Sequence, residues 1–292
     1  GAGPAGLSFA VTAAERGHKV TLYEADAEIG GQFNMAKRVP GKEEFHETLR
    51  YFRRQIEIHG VELVLNKRVG AQELVAAGFD EIVLATGVTP RRPAIDGIDH
   101  PKVLGSMDVL PEQRPVGARG ALIGAGGIGF DVAEYLAHSG ESPSLKPDKF
   151  YAEWGIDPEY RRPGGLREPR PEPSPRKLYL LQRKTSKVGE GLGKTTGWIH
   201  RLSLRARDVQ MLAGVSYQRI DDAGLHLKVG EEERLLPVDN VVVCAGQEPL
   251  RDLADALRAA GCSVHLIGGA AEAAELDAKR AIDQGVRLAA VI

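Results

Sequence analysis

Two glycine-rich turns constrain the fold of this chain more than any other feature of its sequence. Both match the pattern G-x-G-x-x-G, and their glycines are Gly1, Gly3 and Gly6 in the first turn and Gly124, Gly126 and Gly129 in the second. The first glycine of this pattern permits a tight turn from strand to helix, the second lets the backbone approach a pyrophosphate, and the third lets the helix pack on the strand. The sequence therefore predicts two dinucleotide-binding units.

The strand that follows each turn ends in opposite charge. Glu24 closes the apolar strand 19–23, whereas Arg183 and Lys184 follow the strand 178–182. An acid at this position accepts hydrogen bonds from a ribose 2′-hydroxyl, and a pair of cations suits a 2′-phosphate. We therefore expect the first unit to bind an unphosphorylated nucleotide such as FAD and the second to bind NADP(H).

Apolar strands alternate with amphipathic helices along most of the chain. The pattern predicts strands at 19–23, 61–65, 81–85, 120–123, 178–182, 209–211, 225–229, 238–244 and 264–267, and helices at 6–16, 42–59, 130–138 and 274–290. This alternation is typical of a doubly wound α/β fold with a mostly parallel sheet. We predict two Rossmann-like domains, one inserted in the other: an FAD-binding domain formed by residues 1–110 and 245–292, and an NADPH-binding domain formed by residues 111–244.

Residues 140–176 interrupt this alternation. They contain eight of the 17 prolines of the chain. Proline disfavours the interior of helices and strands, so the segment is predicted to be an ordered excursion or a loose loop rather than part of either.

The position of the first turn predicts that the chain is a fragment. A G-x-G-x-x-G turn follows a β-strand, yet Gly1 is the first residue of the sequence. We therefore expect the first strand of the fold to lie upstream of Gly1.

Composition argues against several classes of function. The formal net charge of −2 provides no electrostatic basis for binding nucleic acid or a membrane surface, and no apolar run is as long as a transmembrane helix. Cys244 and Cys262 are too few for a disulfide framework, and no two histidines have a metal-ligand spacing such as H-x-x-x-H. We expect a cytoplasmic protein without a metal site.

Three further turns have small residues. Gly30-Gly31-Gln32 offers room for a ligand and an amide that can bond a ribose or ribityl hydroxyl, and the turns 85–87 and 245–247 each follow an apolar strand. Residues 191–196 resemble a phosphate-binding P-loop, but Val188 stands where that motif requires glycine. Their lysine and Trp198 are interpreted either as a cationic and stacking surface for a nucleotide or as part of a solvated loop.

With these motifs, the chain resembles the C-terminal half of the bacterial NADPH-dependent 2,4-dienoyl-CoA reductases, which are trimethylamine dehydrogenase-like flavoproteins. The resemblance covers essentially the whole sequence and is most specific at residues 30–32, 40–45, 123–134, 181–184, 191–200, 237–249 and 275–282. Complete members join an FMN-binding (β/α)₈ barrel and an iron–sulfur cluster to an FAD- and NADPH-binding half. The resemblance implies that hydride passes from NADPH to FAD, and that electrons then cross a 4Fe-4S cluster to FMN, where an unsaturated acyl-CoA is reduced.

The resemblance also implies roles for individual residues. FAD would contact Ala5, Glu24, Gln32, Lys42, Val69, Gly269, Leu276, Asp277 and Ala278, beside the turn that contains Gly87. NADPH would contact Arg183 and Lys184, while Lys187 and Trp198 would meet the acyl-CoA or the nucleotide. No catalytic side chain is assigned, because the cofactors carry the chemistry, and the FMN and the cluster are expected outside this chain.

One position departs from the family pattern. Ala271 stands where such flavoproteins usually have an aspartate near the flavin pyrophosphate, and Glu272 follows as a partial substitute. Loss of a charge-assisted hydrogen bond costs about 1.5–3 kcal/mol, so weakened FAD binding is expected.

Two other interpretations stay open. The chain is also compatible with the equivalent half of another barrel-fused flavoprotein, such as an NADH oxidase or an amine dehydrogenase, although Arg183 and Lys184 favour NADP. In the second interpretation the chain is a structural nucleotide-binding module without hydride transfer. The alanine at position 271 is compatible with that role.

Overall fold

The computed structural model describes residues 1–274 and 277–292. Contacts within the chain divide it into two compact units. Unit 1 consists of residues 1–37, 44–89 and 247–292, and unit 2 consists of residues 38–43 and 90–246. Unit 2 is therefore inserted twice into the sequence of unit 1.

The secondary structure alternates between helices and strands. The helices are α1 (Pro4–Glu15), α2 (Phe33–Ala36), α3 (Phe45–Ile58), α4 (Ala71–Ala77), α5 (Ser106–Val109), α6 (Gly127–Ala137), α7 (Pro147–Trp154), α8 (Gly197–Ala206), α9 (Leu253–Ala259) and α10 (Ala278–Ala289). The strands are β1 (Thr21–Tyr23), β2 (Glu62–Val64), β3 (Ile82–Leu84), β4 (Val88–Pro90), β5 (Val103–Gly105), β6 (Arg119–Ile123), β7 (Lys177–Leu181), β8 (Gln210–Leu212), β9 (Val215–Asp221), β10 (Gly224–Val229), β11 (Glu232–Leu236), β12 (Asn240–Val243), β13 (Gln247–Pro249) and β14 (Val264–Leu266). Short 3₁₀ turns lie at Pro143–Leu145, Pro163–Gly165 and Gly268–Ala270.

Unit 1 contains parallel strand pairs covered by helices. β1 pairs with β2, and β3 pairs with β14. Helix α1 lies against α10, where Gly285 permits close approach because an added Cβ would lie 2.5 Å from the carbonyl oxygen of Ala5. The apolar face of α1 shares a core with Leu22, Leu49 and Phe52. This packing fixes the helix whose N-terminus forms the first glycine turn.

Unit 2 is built on a five-stranded parallel sheet in the order β5-β12-β6-β7-β8. Leu122, Leu180 and Val242 on its central strands have no exposed surface, as expected of parallel strands covered on both faces. Ile123 lies opposite Leu181, so β6 and β7 end at the same edge of the sheet. The antiparallel strands β9, β10 and β11 pack against this sheet through a shared apolar core.

The predicted α/β fold with parallel sheets is confirmed. The longer segment of unit 2 begins at Pro90, whereas the sequence predicts a domain limit at 111. Strand β5 belongs to the sheet of unit 2 because it pairs with β12, with Val103 opposite Val241. The assignment of FAD and NADPH to the two domains stays a prediction.

The prediction for residues 140–176 is wrong in one respect, because this segment contains α7. Pro147 occupies the first helical position, and Gly155 ends the helix with φ 66°. Proline favours that position because its fixed φ suits a helix and its missing N–H is not needed there. The sequence pattern also does not predict β9 and β11, because β11 is mostly exposed and β9 does not alternate regularly.

Three general properties bear on the expected class of protein. No helix within residues 1–274 and 277–292 is both long and apolar enough to cross a bilayer. Cys244 and Cys262 are free thiols. In the same part of the chain, no three or more His, Cys, Asp or Glu side chains come together in a group that could hold a metal ion.

Candidate dinucleotide-binding sites

The turn from Gly1 to Gly6 leads into α1 and is shaped by steric requirements. An added Cβ at Gly6 would overlap the carbonyl oxygen of Gly1, and one at Gly1 would lie 2.5 Å from the carbonyl oxygen of Ala85. Gly3 is the N-cap of α1, and no side chain caps this helix. The N–H groups of the first helical turn are therefore open to an anion, which the helix dipole also favours.

Glu24 follows β1 and extends its carboxylate to the first glycine turn. Oε2 accepts a hydrogen bond from the backbone N–H of Ala2 at 2.7 Å, and Oε1 accepts one from the N–H of Asp26 at 3.0 Å. Both bonds orient the carboxylate, and each oxygen keeps a second lone pair for a hydroxyl donor. The strand-end acid is therefore available to a ribose diol at the mouth of this turn.

The turn at Gly30-Gly31 lies against the first glycine turn. The N–H of Gly30 donates to the carbonyl oxygen of Ala2 at 2.8 Å, and an added Cβ at Gly31 would lie 3.0 Å from the Cα of Gly3. Gln32 is the N-cap of α2. Its side-chain amide has no hydrogen-bond partner among the described residues, so both its donor and its acceptor are available to a ligand.

Gly87 and Gly269 are neighbours despite their separation in sequence. An added Cβ at Gly269 would lie 3.1 Å from the carbonyl carbon of Gly87, and one at Gly268 would lie 2.8 Å from the Cβ of Ala5. Ala5 is 5% exposed. Because its methyl group is buried, Ala5 would contact a ligand through its backbone.

The remaining predicted flavin contacts of unit 1 lie at the start of α10 and after β2. Asp277 caps α10 by accepting a hydrogen bond from the N–H of Lys279 at 2.9 Å, and Ala278 is the first residue of this helix. Leu276 lies outside the described residues. Val69 packs against the core around Leu74.

Glu272, which the resemblance offers as a partial substitute for an aspartate at Ala271, is paired with Arg280. Arg280 donates from Nη1 to Glu272 Oε2 at 2.9 Å and from Nη2 to the carbonyl oxygen of Glu272 at 3.0 Å. Because this pair engages the carboxylate, the side chain of Glu272 is held by its own unit. The methyl group of Ala271 offers a ligand no hydrogen bond.

Lys42 belongs to unit 2, in the short segment 38–43. Its Nζ lies 2.6 Å from Oδ1 of Asp131, a residue of α6. The neighbouring Glu43 accepts a hydrogen bond from Ser144 Oγ at 2.8 Å. The ammonium group of this predicted FAD contact is thus paired with a residue of the helix that follows the second glycine turn.

The second glycine turn connects β6 to α6 and has the same steric requirements as the first. An added Cβ at Gly129 would overlap the carbonyl oxygen of Gly124, and Gly124 itself has φ 108°. Gly126 is the N-cap of α6 without a side-chain cap. An added Cβ at Gly126 or Gly127 would meet no protein atom within 4 Å, so the space beside the helix N-terminus is open to a phosphate.

Arg183 and Lys184 lie at the edge of the sheet that carries the second glycine turn. The N–H of Gly124 donates to the carbonyl oxygen of Leu181 at 3.0 Å, which ties this turn to the end of β7. Both cationic side chains are exposed. Neither forms a hydrogen bond or an ion pair with another side chain in the described part of the chain, so both charges are available to an anion.

Gln182 braces the loop that carries these two cations, a role not predicted from the sequence. Its Nε2 donates to the carbonyl oxygen of Ser186 at 2.8 Å and to that of Lys184 at 3.1 Å. The sequence predicts Gln182 as the last residue of the strand 178–182, whereas β7 ends at Leu181, so that Gln182 directly follows the strand.

Tyr217 lies on β9 near Arg183. Its hydroxyl is buried and has no hydrogen-bond partner among the described residues. Burial raises the pKa of this hydroxyl, while the positive charge of Arg183 acts in the opposite direction. The phenol is therefore neutral at physiological pH.

Lys187 and Trp198 lie on either side of the loop before α8. Lys187 is exposed, and Trp198, in the first turn of α8, is 54% exposed. Trp198 Nε1 donates to the carbonyl oxygen of Thr195 at 3.0 Å. This bond holds the indole while much of its surface remains accessible for stacking.

A buried polar network joins α6, α7 and α8. Ser203 Oγ donates to Glu134 Oε2 at 3.1 Å, Arg207 Nη1 donates to Ser203 Oγ at 3.2 Å, and Arg207 Nη2 lies 2.8 Å from Glu153 Oε1. Glu134 and Arg207 are 5% and 3% exposed. The network anchors the excursion through α7 and fixes the helix that begins at the second glycine turn.

The residues present fit two dinucleotides. Each unit has an uncapped helix N-terminus after a glycine turn, with room for a pyrophosphate. The strand end of unit 1 carries a carboxylate, which suits a ribose hydroxyl, and the loop after β7 in unit 2 carries two exposed cations, which suit a phosphate.

Comparisons with known proteins agree with this arrangement. A family model described as pyridine nucleotide-disulphide oxidoreductase matches residues 1–274. The chain is 29% identical over 284 residues to the metal reductase of Desulforamulus reducens, covering 92% of this chain and 40% of that protein. It is 26% identical over 292 residues to the bilirubin reductase of Mediterraneibacter gnavus, covering 100% of this chain and 40% of that protein. The chain therefore spans about two fifths of the length of these relatives.

A solved structure of a 2-naphthoyl-CoA reductase in complex with 2-naphthoyl-CoA has a similar fold. It aligns with a TM-score of 0.83 and 26% identity over 100% of this chain and 39% of that protein. The similarity thus extends over all the elements of both units.

Proposed function

This chain belongs to the pyridine nucleotide-disulphide oxidoreductase family, and from that premise we propose that it is the FAD- and NADPH-binding half of a 2,4-dienoyl-CoA reductase. At the level of the family it is a flavin- and NAD(P)-dependent oxidoreductase domain. When bound, FAD would supply a two-electron acceptor for the hydride of NADPH and release electrons one at a time to an iron–sulfur cluster and FMN outside this chain.

The observation that carries this proposal is the opposite charge at the two strand ends. Glu24 stands beside the glycine turn of unit 1, whereas Arg183 and Lys184 stand at the sheet edge that carries the glycine turn of unit 2. These charges suit a ribose hydroxyl and a 2′-phosphate, respectively. A chain that binds an unphosphorylated flavin nucleotide together with NADPH is suited to electron input.

The residues of unit 1 would bind and orient FAD. The N–H groups at the start of α1 would bind the pyrophosphate, Glu24 would accept from the ribose, and Gln32 would bond a ribose or ribityl hydroxyl. Backbone groups at Ala5, Val69, Gly87 and Gly269 would contact FAD, as would Asp277 and Ala278 at the start of α10.

The residues of unit 2 would bind NADPH. The start of α6, with Gly126 as its N-cap, would bind the pyrophosphate. Arg183 and Lys184 would bind the 2′-phosphate, where the planar guanidinium can make two parallel hydrogen bonds. Lys187 and Trp198 would meet the acyl-CoA or the nucleotide through charge and stacking.

The acyl-CoA part of the proposal draws support from the similarity to 2-naphthoyl-CoA reductase. That protein, like the relatives above, is about two and a half times as long as the aligned region. The FMN, the 4Fe-4S cluster and the reduction of an unsaturated acyl-CoA in fatty acid β-oxidation would therefore belong to the rest of such a protein. Two free cysteines are compatible with a reducing cytoplasm as the proposed compartment.

Anaerobic mixing of the FAD-loaded chain with NADPH tests the proposal. We expect the visible absorbance of the flavin to bleach with NADPH at low micromolar concentrations, and to bleach with NADH only at much higher concentrations. The double variant R183A/K184A should abolish this preference, while K177A, which removes a cation from the opposite end of β7, should preserve it. Equal bleaching by both nucleotides would contradict the NADPH assignment.

A second candidate, a structural nucleotide-binding module, is favoured by one observation. Ala271 offers no hydrogen bond, and the carboxylate of Glu272 is paired with Arg280. Flavin or ADP bound without any bleaching by NADPH would support this candidate, whereas preferred bleaching by NADH would support the equivalent half of an NADH oxidase or an amine dehydrogenase.

A further inference from the structure

We propose that Gln182 is a positioning residue that holds the Arg183-Lys184 loop in the shape that accepts a 2′-phosphate, and thereby makes the second site selective for NADP(H) over NAD(H). The inference deepens the proposed function and rests on its NADPH assignment. The residue itself does not touch the phosphate; it acts through the two cations that follow it.

The geometry of the loop carries the inference. Gln182 Nε2 donates to the carbonyl oxygens of Lys184 and Ser186 at 3.1 and 2.8 Å. The NH₂ group of one side chain therefore donates to two backbone carbonyl oxygens of the loop, on either side of Thr185. The side chain closes the loop from within, so the cations that follow it point outward and remain exposed.

The residues at the start of β9 and just before it also bond the backbone of this loop. The N–H of Gly214 donates to the carbonyl oxygen of Lys184 at 2.9 Å, and the N–H of Val215 donates to that of Gln182 at 3.0 Å. The carbonyl oxygen of Lys184 thus receives both a backbone and a side-chain donor. With these bonds the loop is tied to two strands, which restricts where Arg183 and Lys184 can place their charges.

The position of Gln182 explains why an amide is required. It directly follows β7, where dinucleotide sites that bind NAD carry an acid for the ribose 2′-hydroxyl. Glutamate has nearly the same shape as glutamine but cannot donate a hydrogen bond when ionised. A carboxylate here would be repelled by the two carbonyl oxygens, so its side chain would turn away from the loop. It would also place a negative charge near the 2′-phosphate. The amide of Gln182 therefore has two functions. It donates the hydrogen bonds that hold the loop, and it avoids a negative charge beside the 2′-phosphate.

Calorimetric titration of the full chain with NADP⁺ and with NAD⁺ tests the inference without relying on turnover. Two variants separate the two functions of the side chain. Gln182→Met keeps the length and the neutrality but removes the donors, and Gln182→Glu also adds the charge. Gln218→Glu is the matched control, because Gln218 is exposed on β9 in the same unit and its substitution adds the same charge without breaking a loop bond.

The expected changes are specific to the phosphorylated nucleotide. Loss of the two donors should weaken NADP⁺ binding by about 5- to 10-fold in Gln182→Met, and the added charge should raise the loss to about 30-fold or more in Gln182→Glu. NAD⁺ binding should change by less than about threefold in both variants. Hydrogen exchange of the amides at 183–186 should accelerate in both, and Gln218→Glu should change neither binding nor exchange.

Four results would overturn the inference. NADP⁺ binding unchanged in Gln182→Met would show that the brace does not position the cations. An equal loss for NADP⁺ and NAD⁺ would show that the substitution damages the unit rather than the phosphate site; if Gln182→Glu does not fold, Gln182→Met decides alone. A wild-type chain without preference for NADP⁺ would overturn the proposed NADPH role itself, and the inference with it, whereas a wild-type preference that is undiminished in both variants would overturn the inference alone.

Discussion

The ammonium group of Lys42 lies 2.6 Å from a carboxylate oxygen of Asp131, across 89 residues of sequence. Both side chains are partly buried, at 32% and 22% exposure. The pair fixes the segment 38–43 against α6, the helix that begins at the second glycine turn. A lysine that the family resemblance relates to FAD is thus used within unit 2 as an anchor.

We expect the Lys42–Asp131 pair to stabilise unit 2 measurably. A double-mutant cycle with Lys42→Met, Asp131→Asn and the combined variant should give a coupling free energy of about 0.5–1 kcal/mol, because the pair is only partly screened by water. Urea unfolding measures the four stabilities. The exposed pair Arg54–Glu57 serves as the control and should give a smaller coupling; equal couplings would mean that the partial burial of Lys42 and Asp131 has no energetic effect.

Two glycines of the second turn should respond differently to the same substitution. Gly129→Ala should lower the free energy of unfolding by about 2 kcal/mol or more, because its Cβ would overlap the carbonyl oxygen of Gly124. Gly126→Ala should change the stability little, since its Cβ would meet no protein atom within 4 Å, but it should weaken NADP⁺ binding by filling the space of the pyrophosphate. Urea unfolding and calorimetric titration measure the two effects. A Gly126→Ala variant that binds NADP⁺ as the wild type does would contradict the placement of the pyrophosphate.

The parts of the fold that repeat a local pattern are predictable from the sequence. The helices after each glycine turn and the buried strands β6, β7 and β12 follow from apolar runs and glycine spacing, because burial on both faces leaves a strong compositional signal. Helix α7 is not predictable from a count of prolines, since Pro147 starts the helix and proline is favoured at that position.

The residues of the candidate sites also fall into those that the sequence predicts and those that it does not. Glycine turns and strand-end charges are local patterns, so Glu24, Arg183 and Lys184 can be identified from the sequence alone. The bonds of Gln182 to the loop and of Lys42 to Asp131 depend on side-chain direction and on contacts far apart in sequence. No spacing rule encodes such contacts, and they become visible only when the chain is folded.

Restoring the missing acid should strengthen flavin binding. Ala271→Asp adds a carboxylate where the family resemblance places an aspartate, and a charge-assisted hydrogen bond contributes about 1.5–3 kcal/mol, or about a 10-fold or greater gain in affinity. Recovery of flavin fluorescence on release measures the dissociation constant. Glu272→Gln is the control and should leave FAD affinity unchanged, because Arg280 already engages that carboxylate. Stoichiometric, tight flavin in the wild type, with no gain in Ala271→Asp, would refute the expectation of weakened binding.

Removing the hydroxyl of Tyr217 should not destabilise the chain. The group is buried without a partner among the described residues, so Tyr217→Phe should be neutral or stabilising by up to about 1 kcal/mol. Burial raises the pKa of Tyr217 above its ordinary 10.0, so the unfolded chain releases this proton at a lower pH than the folded chain does. Titration of this group therefore leaves the stability unchanged below pH 10 and lowers it as the pH rises further. Urea unfolding at pH 7 and above pH 10 should show a smaller alkaline loss in Tyr217→Phe than in the wild type. The exposed Tyr51 provides the control variant, Tyr51→Phe, and a clear loss of stability in Tyr217→Phe at pH 7 would mean that its hydroxyl has a partner.

Acid should weaken the hairpin of β9 and β10 through Asp221. Hydrogen bonds from His226 and then Arg219 lower the pKa of this carboxyl group from 3.8 to about 2. A lowered pKa means that the stabilising contribution is fully present above pH 3.8 and is lost as the pH falls through about 2. Asp221→Asn should therefore flatten the pH dependence of stability in this window, as measured by urea unfolding at successive pH values. Asp80→Asn removes an exposed carboxyl group on unit 1 and should preserve the wild-type profile; identical profiles for Asp221→Asn and the wild type would show that the bonds from His226 and Arg219 do not stabilise the fold.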